Sequence, residues 1–211
     1  MPLFSSEEVD QWYGKSSLLP NHFHWRDPYL LKDSKTGKYY LFICAYSKTG
    51  APFPYRGCIG LAVADHIEGL YELLPPVADP LTDAIEQWPF GEMERPQVIF
   101  QNGQYHLFFS CWPRYLNPHW RSQIDPKRIT GSSLYHYVSD SIDGPFQPTS
   151  STPIVPNSEN TSMYGVNFFG NPNHAANAIV YGWYYRLFSL ETSPLFRATW
   201  HEERLEMQRS K

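Results

Sequence analysis

Two stretches of this chain share one pattern: residues 26–42, RDPYLLKDSKTGKYYLF, and residues 94–108, ERPQVIFQNGQYHLF. Each begins with a charged pair before a proline and continues into an apolar run. Each then turns at a glycine and enters a second run rich in aromatic residues. The Asn102-Gly103 pair is the strongest short signal for a hairpin, and Gly37 occupies the matching turn. The two stretches therefore predict two similar β-hairpins.

A second repeat follows each hairpin. Residues 63–71, VADHIEGLY, return as residues 138–146, VSDSIDGPF. Self-similarity over a long period indicates a repeat architecture built from one supersecondary unit. Short strands in each unit, with one carboxylate near the start of each first strand, predict an all-β fold of β-propeller blades around an acid pair. Such a pair is what glycoside cleavage requires.

The repeats also predict how the chain is divided. We expect an N-terminal arm or short helix over residues 1–24, capped at Ser5 or Ser6, and a single β-propeller-like domain over residues 25–211. Three blades are predicted, at about 25–76, 92–150 and 160–208. The predicted strands lie near 27–32, 38–46, 57–64 and 70–74, near 96–101, 104–111, 132–139 and 145–148, and near 164–169, 177–185, 195–201 and 204–208.

Three blades are few for a closed propeller. An open ring leaves strand edges and an apolar flank uncovered, and propellers usually have four or more blades. We therefore expect a further blade hidden in the C-terminal part, a partner that covers the open flank, or a larger protein of which this chain is a part. A homodimer is the preferred hypothesis.

Composition excludes several classes of protein. The net charge of −4 comes without any run of Lys or Arg, so nucleic-acid binding is not expected. No apolar stretch reaches the length of a membrane span, and the N-terminus lacks the pattern of a signal peptide. These features predict a cytoplasmic protein, or a secreted one if its N-terminus is truncated. Cys44, Cys58 and Cys111 have no metal-binding spacing and are expected to be buried free thiols.

The motifs resemble glycoside hydrolase family 68, which contains levansucrases, inulosucrases and bacterial β-fructofuranosidases. Four segments carry the resemblance, in the order of the family: Arg26-Asp27-Pro28, GCIGLAVA at 57–64, EMERP at 92–96 and VSDSIDGPF at 138–146. The resemblance implies a five-bladed propeller, of which this chain would be a shortened member with about three to four blades. It also implies a sucrose- or fructoside-type substrate and no cofactor.

The resemblance assigns roles to particular residues. It implies that Asp27 stabilises the transition state, that Glu94 is the general acid/base, and that Arg26 and Glu92 bind the fructosyl unit. Further substrate-binding candidates lie in or beside the motif and the long connections: Arg95, Arg114, Trp112 and Tyr164.

Elementary chemistry supports a glutamate in this role. Glycosidic cleavage needs a proton at the leaving oxygen, and a glutamate with a raised pKa can supply it near neutral pH. Glu92 shares a strand face with Glu94 if the segment is extended, because side chains alternate with period two. A second nearby carboxylate would raise the pKa of one of the pair, whereas Arg95 or Arg114 would oppose that change.

One part of the family pattern has no match. The family places its aspartate nucleophile in a Trp-Asp motif far upstream of Arg-Asp-Pro, and the surroundings of Asp10 do not reproduce that motif. Two other readings therefore stay open: a catalytically silent carbohydrate-binding or interaction module, and a relative redirected to another small molecule. His22 and His24 alternate and lack an evident third metal ligand, so no metal site is predicted.

Overall fold

The computed structural model describes residues 4–15, 24–48, 54–78, 88–129, 131–154, 163–169, 178–186, 189–201 and 204–209. Two short α-helices lie in those ranges, α1 Ser6–Trp12 and α2 Pro118–Arg121, with 3-10 turns at Pro113–Tyr115 and Pro126–Arg128. The strands there are β1 Trp25–Lys32, β2 Tyr39–Tyr46, β3 Gly57–Ala64, β4 Glu72–Ala78, β5 Glu94–Gln101, β6 Gln104–Cys111, β7 Ser133–Ser139, β8 Gln147–Pro148, β9 Met163–Phe169, β10 Ala178–Arg186, β11 Ser189–Thr192, β12 Phe196–His201 and β13 Arg204–Arg209.

The described strands form three antiparallel sheets. The first sheet has the order β1-β2-β3-β4 and the second has the order β5-β6-β7-β8. In the third sheet, β10 pairs with β9 along one edge and with β11 and then β12 along the other, and β13 follows β12. The first two sheets therefore have the same up-and-down order, as the repeated sequence predicts.

The two predicted hairpins form at the predicted turns. Gln101 pairs with Gln104 across Asn102 and Gly103, whose φ angles are 51° and 87°. A two-residue hairpin turn of this kind needs positive φ at both central residues, which Asn and Gly adopt most readily. In the first sheet the turn ends at Gly37, with φ 73°.

The main core lies between the first and second sheets. Alternate residues of β6, including Leu107 and Phe109, face it and are almost fully buried together with Phe42 and Leu61 of the first sheet. One polar contact crosses the same region, where Tyr105 donates a hydrogen bond to the Asp33 carboxylate at 2.8 Å. These contacts hold the first strands of the two sheets, β1 and β5, side by side.

Most local predictions are confirmed. Ser5 caps α1, and Glu8 completes the capping box by accepting from the Ser5 backbone. The three cysteines are free and buried. Strand β11 was not predicted, because its four residues lie in a stretch that the sequence reads as part of a connection. Among the described helices, none is long and apolar enough to cross a membrane.

Candidate active site

The site lies where β1 and β5 begin, at two matching irregularities. The register of β1 shifts between Arg26 and Tyr29, and that of β5 shifts between Glu94 and Gln97. Each bulge holds a non-glycine residue with positive φ just before a proline: 56° at Asp27 and 52° at Arg95. Bulges re-aim side chains, and strained residues of this kind cluster at functional sites.

One guanidinium joins the acidic residues of the two motifs. Nη2 of Arg26 donates to Glu92 Oε2 at 2.6 Å and to Glu94 Oε1 at 2.9 Å. Nε of the same residue lies 3.7 Å from Asp27 Oδ2. The structure therefore brings the predicted residues Arg26, Asp27, Glu92 and Glu94 into one cluster, which we call the carboxylate cluster.

Glu94 has the environment of a proton donor. Its side chain is only 10% exposed, and Oε2 is buried without a hydrogen-bond partner among the described residues. Burial raises the pKa of Glu94, Arg26 opposes that effect, and the negative charges of Glu92 and Asp27 add to it. A carboxyl group held at one oxygen and free at the other can gain or lose a proton at the free oxygen.

Asp27 is fixed from the opposite motif. Its Oδ2 accepts a hydrogen bond from the backbone N–H of Arg95 at 3.1 Å. The side chain of Arg95 donates from Nη2 to Asn167 on β9 at 3.4 Å. Arg95 therefore links Asp27 to the third sheet, and these residues line a small polar cavity of about 170 Å³.

Glu92 is placed by a close approach of two backbones. A Cβ added at Gly57, the first residue of β3, would lie 2.8 Å from both the Cα and the backbone nitrogen of Glu92. The Gly57 N–H donates to Phe90 at 3.0 Å, and its carbonyl accepts from the indole of Trp88 at 2.8 Å. Only a residue without a side chain lets the segment that carries Glu92, just before β5, come this close.

The remaining predicted residues form an aromatic group beside the carboxylate cluster. The rings of Trp112 and Tyr164 are 5.5 Å apart, and the Arg114 guanidinium lies 5.3 Å from the Trp112 ring. Burial is the main cause that raises the pKa of Tyr164, and the charges of Glu94 and Asp27 add to it. Tyr164 therefore stands within electrostatic reach of both acids.

Sequence reasoning did not place His24 in this site. Its ring is stacked on Tyr46 at 4.0 Å with an angle of 6°, and it contacts Arg26 Nη1. Its Nε2 lies 3.8 Å from Glu92. The alternation with His22 drew attention to metal binding, but no group of three metal-ligating side chains occurs among the described residues. His22 lies outside the described residues.

Curated proteins of similar sequence are levansucrases. The levansucrase of Erwinia amylovora is 32% identical over 114 residues, which are 52% of this chain and 23% of that protein. Levansucrase LscA of Pseudomonas savastanoi pv. glycinea is 26% identical over 172 residues, which are 70% of this chain and 38% of that protein. No family model matches the chain.

Solved structures show the same fold. An inulosucrase from Halalkalicoccus jeotgali bound to kestose has a TM-score of 0.66 at 22% identity, over 88% of this chain and 50% of that one. Bacillus subtilis levansucrase has a TM-score of 0.67 at 16% identity, over 96% of this chain and 52% of that one. The predicted fold class is confirmed: the sheets match part of a five-bladed propeller, and the chain spans about half the length of these structures.

Proposed function

We propose that this chain, a partial-length relative of the levansucrases of glycoside hydrolase family 68, binds the fructosyl unit of sucrose or a related fructoside at the carboxylate cluster. Glu94 gives a proton to the glycosidic oxygen, and Asp27 stabilises the positive charge that develops on the fructosyl ring. Arg26 and Glu92 orient the sugar hydroxyls. The inulosucrase relative bound to kestose supports this choice of ligand.

The observation that carries the proposal is the state of Glu94. One of its oxygens is held by Arg26, while the other is buried and has no partner among the described residues. Its pKa is raised, chiefly by burial, which keeps more of the acid protonated near neutral pH. A general acid needs a proton at a positioned oxygen with a pKa near the working pH. Glu94 has such a positioned oxygen, and burial shifts its pKa in the direction that a general acid needs.

Asp27 has the complementary environment. It accepts from the Arg95 backbone N–H at 3.1 Å and lies 3.7 Å from Arg26 Nε. These donors fix the direction of the Asp27 carboxyl group, and a carboxylate placed beside the anomeric carbon can stabilise an oxocarbenium-like transition state. The two acids thus differ in environment, as acid and charge stabiliser must.

Turnover requires one more group. A retaining reaction needs a carboxylate that attacks the anomeric carbon while the leaving group departs. The aspartate upstream of the cluster, Asp10, is exposed on α1 and lies 3.5 Å from Lys48 Nζ, in a surface ion pair. It is therefore not proposed as that nucleophile. This observation favours a second candidate function: a carbohydrate-binding module with a fructosyl site and little turnover.

One experiment separates these functions. The chain and its Glu94→Gln variant are incubated with sucrose and with raffinose, and the release of glucose and fructose is measured. Loss of a general acid lowers turnover by roughly 10²- to 10⁴-fold, so the variant should be nearly inactive. Glu72→Gln is the matched control, because Glu72 is an exposed glutamate on β4.

Calorimetry with fructose and sucrose supplies the second readout. Turnover that disappears in Glu94→Gln supports the enzyme, and binding without turnover supports the module. If the chain shows no turnover and no binding, the proposal is overturned, and the remaining reading is a pocket redirected to another small molecule.

A further inference from the structure

His24 lies where three parts of the chain meet. It precedes β1, its ring is stacked on Tyr46 of β2, and its Nε2 lies 3.8 Å from Glu92 in the segment before β5. The Cys44 thiol is also 3.8 Å from that nitrogen. A ring packed flat against one neighbour and contacted on its edge by others has little freedom to turn.

The edge of His24 meets one side of the Arg26 guanidinium. Both imidazole nitrogens contact Nη1, with Nδ1 at 3.3 Å. The other terminal nitrogen, Nη2, donates to Glu92 and Glu94. Because a guanidinium is a rigid planar fork, holding Nη1 in place also sets the direction of Nη2.

His24 can accept from Arg26 only as a neutral ring. Burial, and then the positive charge of Arg26, lowers its pKa to about 4. The ionisable groups that face it are Arg26, Glu92, the Cys44 thiol and the Tyr46 phenol. Above that pH the imidazole has a lone pair to offer, so it acts as an acceptor for a guanidinium N–H.

We infer that His24 is a positioning residue of the carboxylate cluster: stacked on Tyr46, it holds Nη1 of Arg26 and so keeps Nη2 between Glu92 and Glu94. The inference rests on the proposed function insofar as Glu94 is the acid of the site. His24 itself takes no part in the chemical step. It acts through Arg26, whose position determines how strongly the positive charge opposes protonation of Glu94.

The test uses two substitutions that separate stacking from hydrogen bonding. His24→Phe keeps a flat ring over Tyr46 and removes the acceptor, whereas His24→Gln removes the ring and keeps an acceptor. The protonation of Glu94 is followed by carbon NMR of carboxyl-labelled glutamate in the full chain, with Glu94→Gln assigning the resonance. Thermal melting of each variant checks that it folds.

We expect the titration midpoint of Glu94 to rise by about half a unit to one unit in His24→Phe, because Arg26 is no longer held beside it. His24→Gln should return the midpoint towards the wild-type value. A midpoint in folded His24→Phe equal to that of the wild type would overturn the inference. If His24→Phe does not fold, Glu94 is titrated in His24→Ala with and without added imidazole. A Glu94 midpoint equal to that of the wild type in both conditions would also overturn the inference.

The titration needs no substrate, so the two proposals fail separately. A chain that neither binds nor cleaves fructosides, but whose Glu94 midpoint rises in His24→Phe, would overturn the proposed function alone. A chain that cleaves sucrose with an unchanged Glu94 midpoint in His24→Phe would overturn the inference about His24 alone. In an active chain, the pH profile of turnover should shift in the same direction as the NMR midpoint.

Discussion

Arg26 and Glu94 occupy the same position in two repeated motifs, and they bond to each other, with Nη2 2.9 Å from Oε1. Each is the last residue before the left-handed residue of a bulge. The next residues, Asp27 and Arg95, are also equivalent, and Asp27 Oδ2 accepts a hydrogen bond from the backbone N–H of Arg95 at 3.1 Å. The two blades thus present opposite charges at matching places, so charge complementarity coincides with the propeller repeat.

This pairing predicts a pH-dependent loss of stability when Arg26 is replaced. Arg26→Met leaves two largely buried carboxylates without their cation, which should lower the free energy of unfolding by about 2 kcal/mol at pH 8. The figure is below that of a fully buried pair because 34% of the Arg26 side chain is exposed.

The loss should shrink as the pH falls. In the variant the folded-state pKa of Glu94 lies above its unfolded value, so protonation at lower pH relieves the unpaired charge. Urea denaturation at pH 8 and pH 5 measures this. A loss of equal size at both pH values, or one that Glu94→Gln does not reduce in the double variant, would contradict the prediction.

Replacing Gly57 should damage the site from a distance. A Cβ at Gly57 meets the backbone of Glu92 at 2.8 Å, so Gly57→Ala must displace the segment that carries Glu92. We expect a cost of about 1 to 3 kcal/mol in unfolding free energy and weaker fructoside binding. Chemical denaturation and calorimetry measure the two effects.

Gly37→Ala is the control for that substitution. Gly37 also resists substitution, because its φ is 73°, but nothing lies within 4 Å of an added Cβ. Gly37→Ala should lower the free energy of unfolding by about 1 kcal/mol, because alanine is strained at this backbone angle, and it should leave fructoside binding unchanged. Equal binding by the two variants would show that Gly57 does not set the position of Glu92.

A buried histidine pair should make the second sheet sensitive to acid. His106 Nδ1 and His136 Nε2 are 2.9 Å apart, and the outer nitrogens face the Gln101 carbonyl at 3.2 Å and the Thr149 hydroxyl at 3.1 Å. Burial, and then the neighbouring His106, lowers the pKa of His136 to about 3, and burial also lowers that of His106.

The sign of the effect follows from proton binding. In the unfolded chain the two histidines bind protons near pH 6.5, whereas the buried pair in the folded chain stays neutral. The contribution of the pair to the free energy of unfolding is therefore fully present above pH 6.5 and declines towards pH 3. Wild-type protein should lose about 2 kcal/mol between pH 6.5 and 4.5 from this source, and His136→Gln should lose less. Urea denaturation between pH 6.5 and 4.5 measures the loss, with His66→Gln as control because His66 is exposed. If the free energy of unfolding falls equally with pH in the wild type and in His136→Gln, the prediction is wrong.

The homodimer remains a prediction that the structure sharpens. An apolar cavity of about 350 Å³ on the first sheet is lined by Phe4, Val9, Trp25, Arg26, Pro28, Leu41 and Ile43. If a second copy covers this face, analytical ultracentrifugation at micromolar concentration should show a dimer, and Leu41→Glu should produce monomers. Leu70→Glu is the control, because Leu70 is 99% exposed. A monomeric wild-type chain would remove the hypothesis.

Local signals predicted the secondary structure well. The Asn102-Gly103 turn and the apolar runs on either side of it correspond to β5 and β6 within two residues. The repeat of residues 63–71 at 138–146 falls, in both sheets, on the connection from the third strand to the fourth. Such features depend on residues close together in the chain, so composition and spacing reveal them.

His24, Tyr46 and Gly57 show what the sequence could not reveal. Their roles arise from contacts across distant parts of the chain, such as the bond between Arg26 and Glu92, 66 residues apart. No local pattern indicates that a histidine will stack on a particular tyrosine or that a glycine will face a particular glutamate.

By itself, the sequence determined the repeated β units, their hairpins and the two acidic motifs, because propensity and turn chemistry act over a few residues. Only the tertiary structure decided that Arg26 lies between Glu92 and Glu94 and that Asp27 accepts from Arg95. The position of these charges depends on how the blades pack, and so do the burial and pKa of Glu94. Packing between blades is a property of the whole chain and leaves no mark on any one segment.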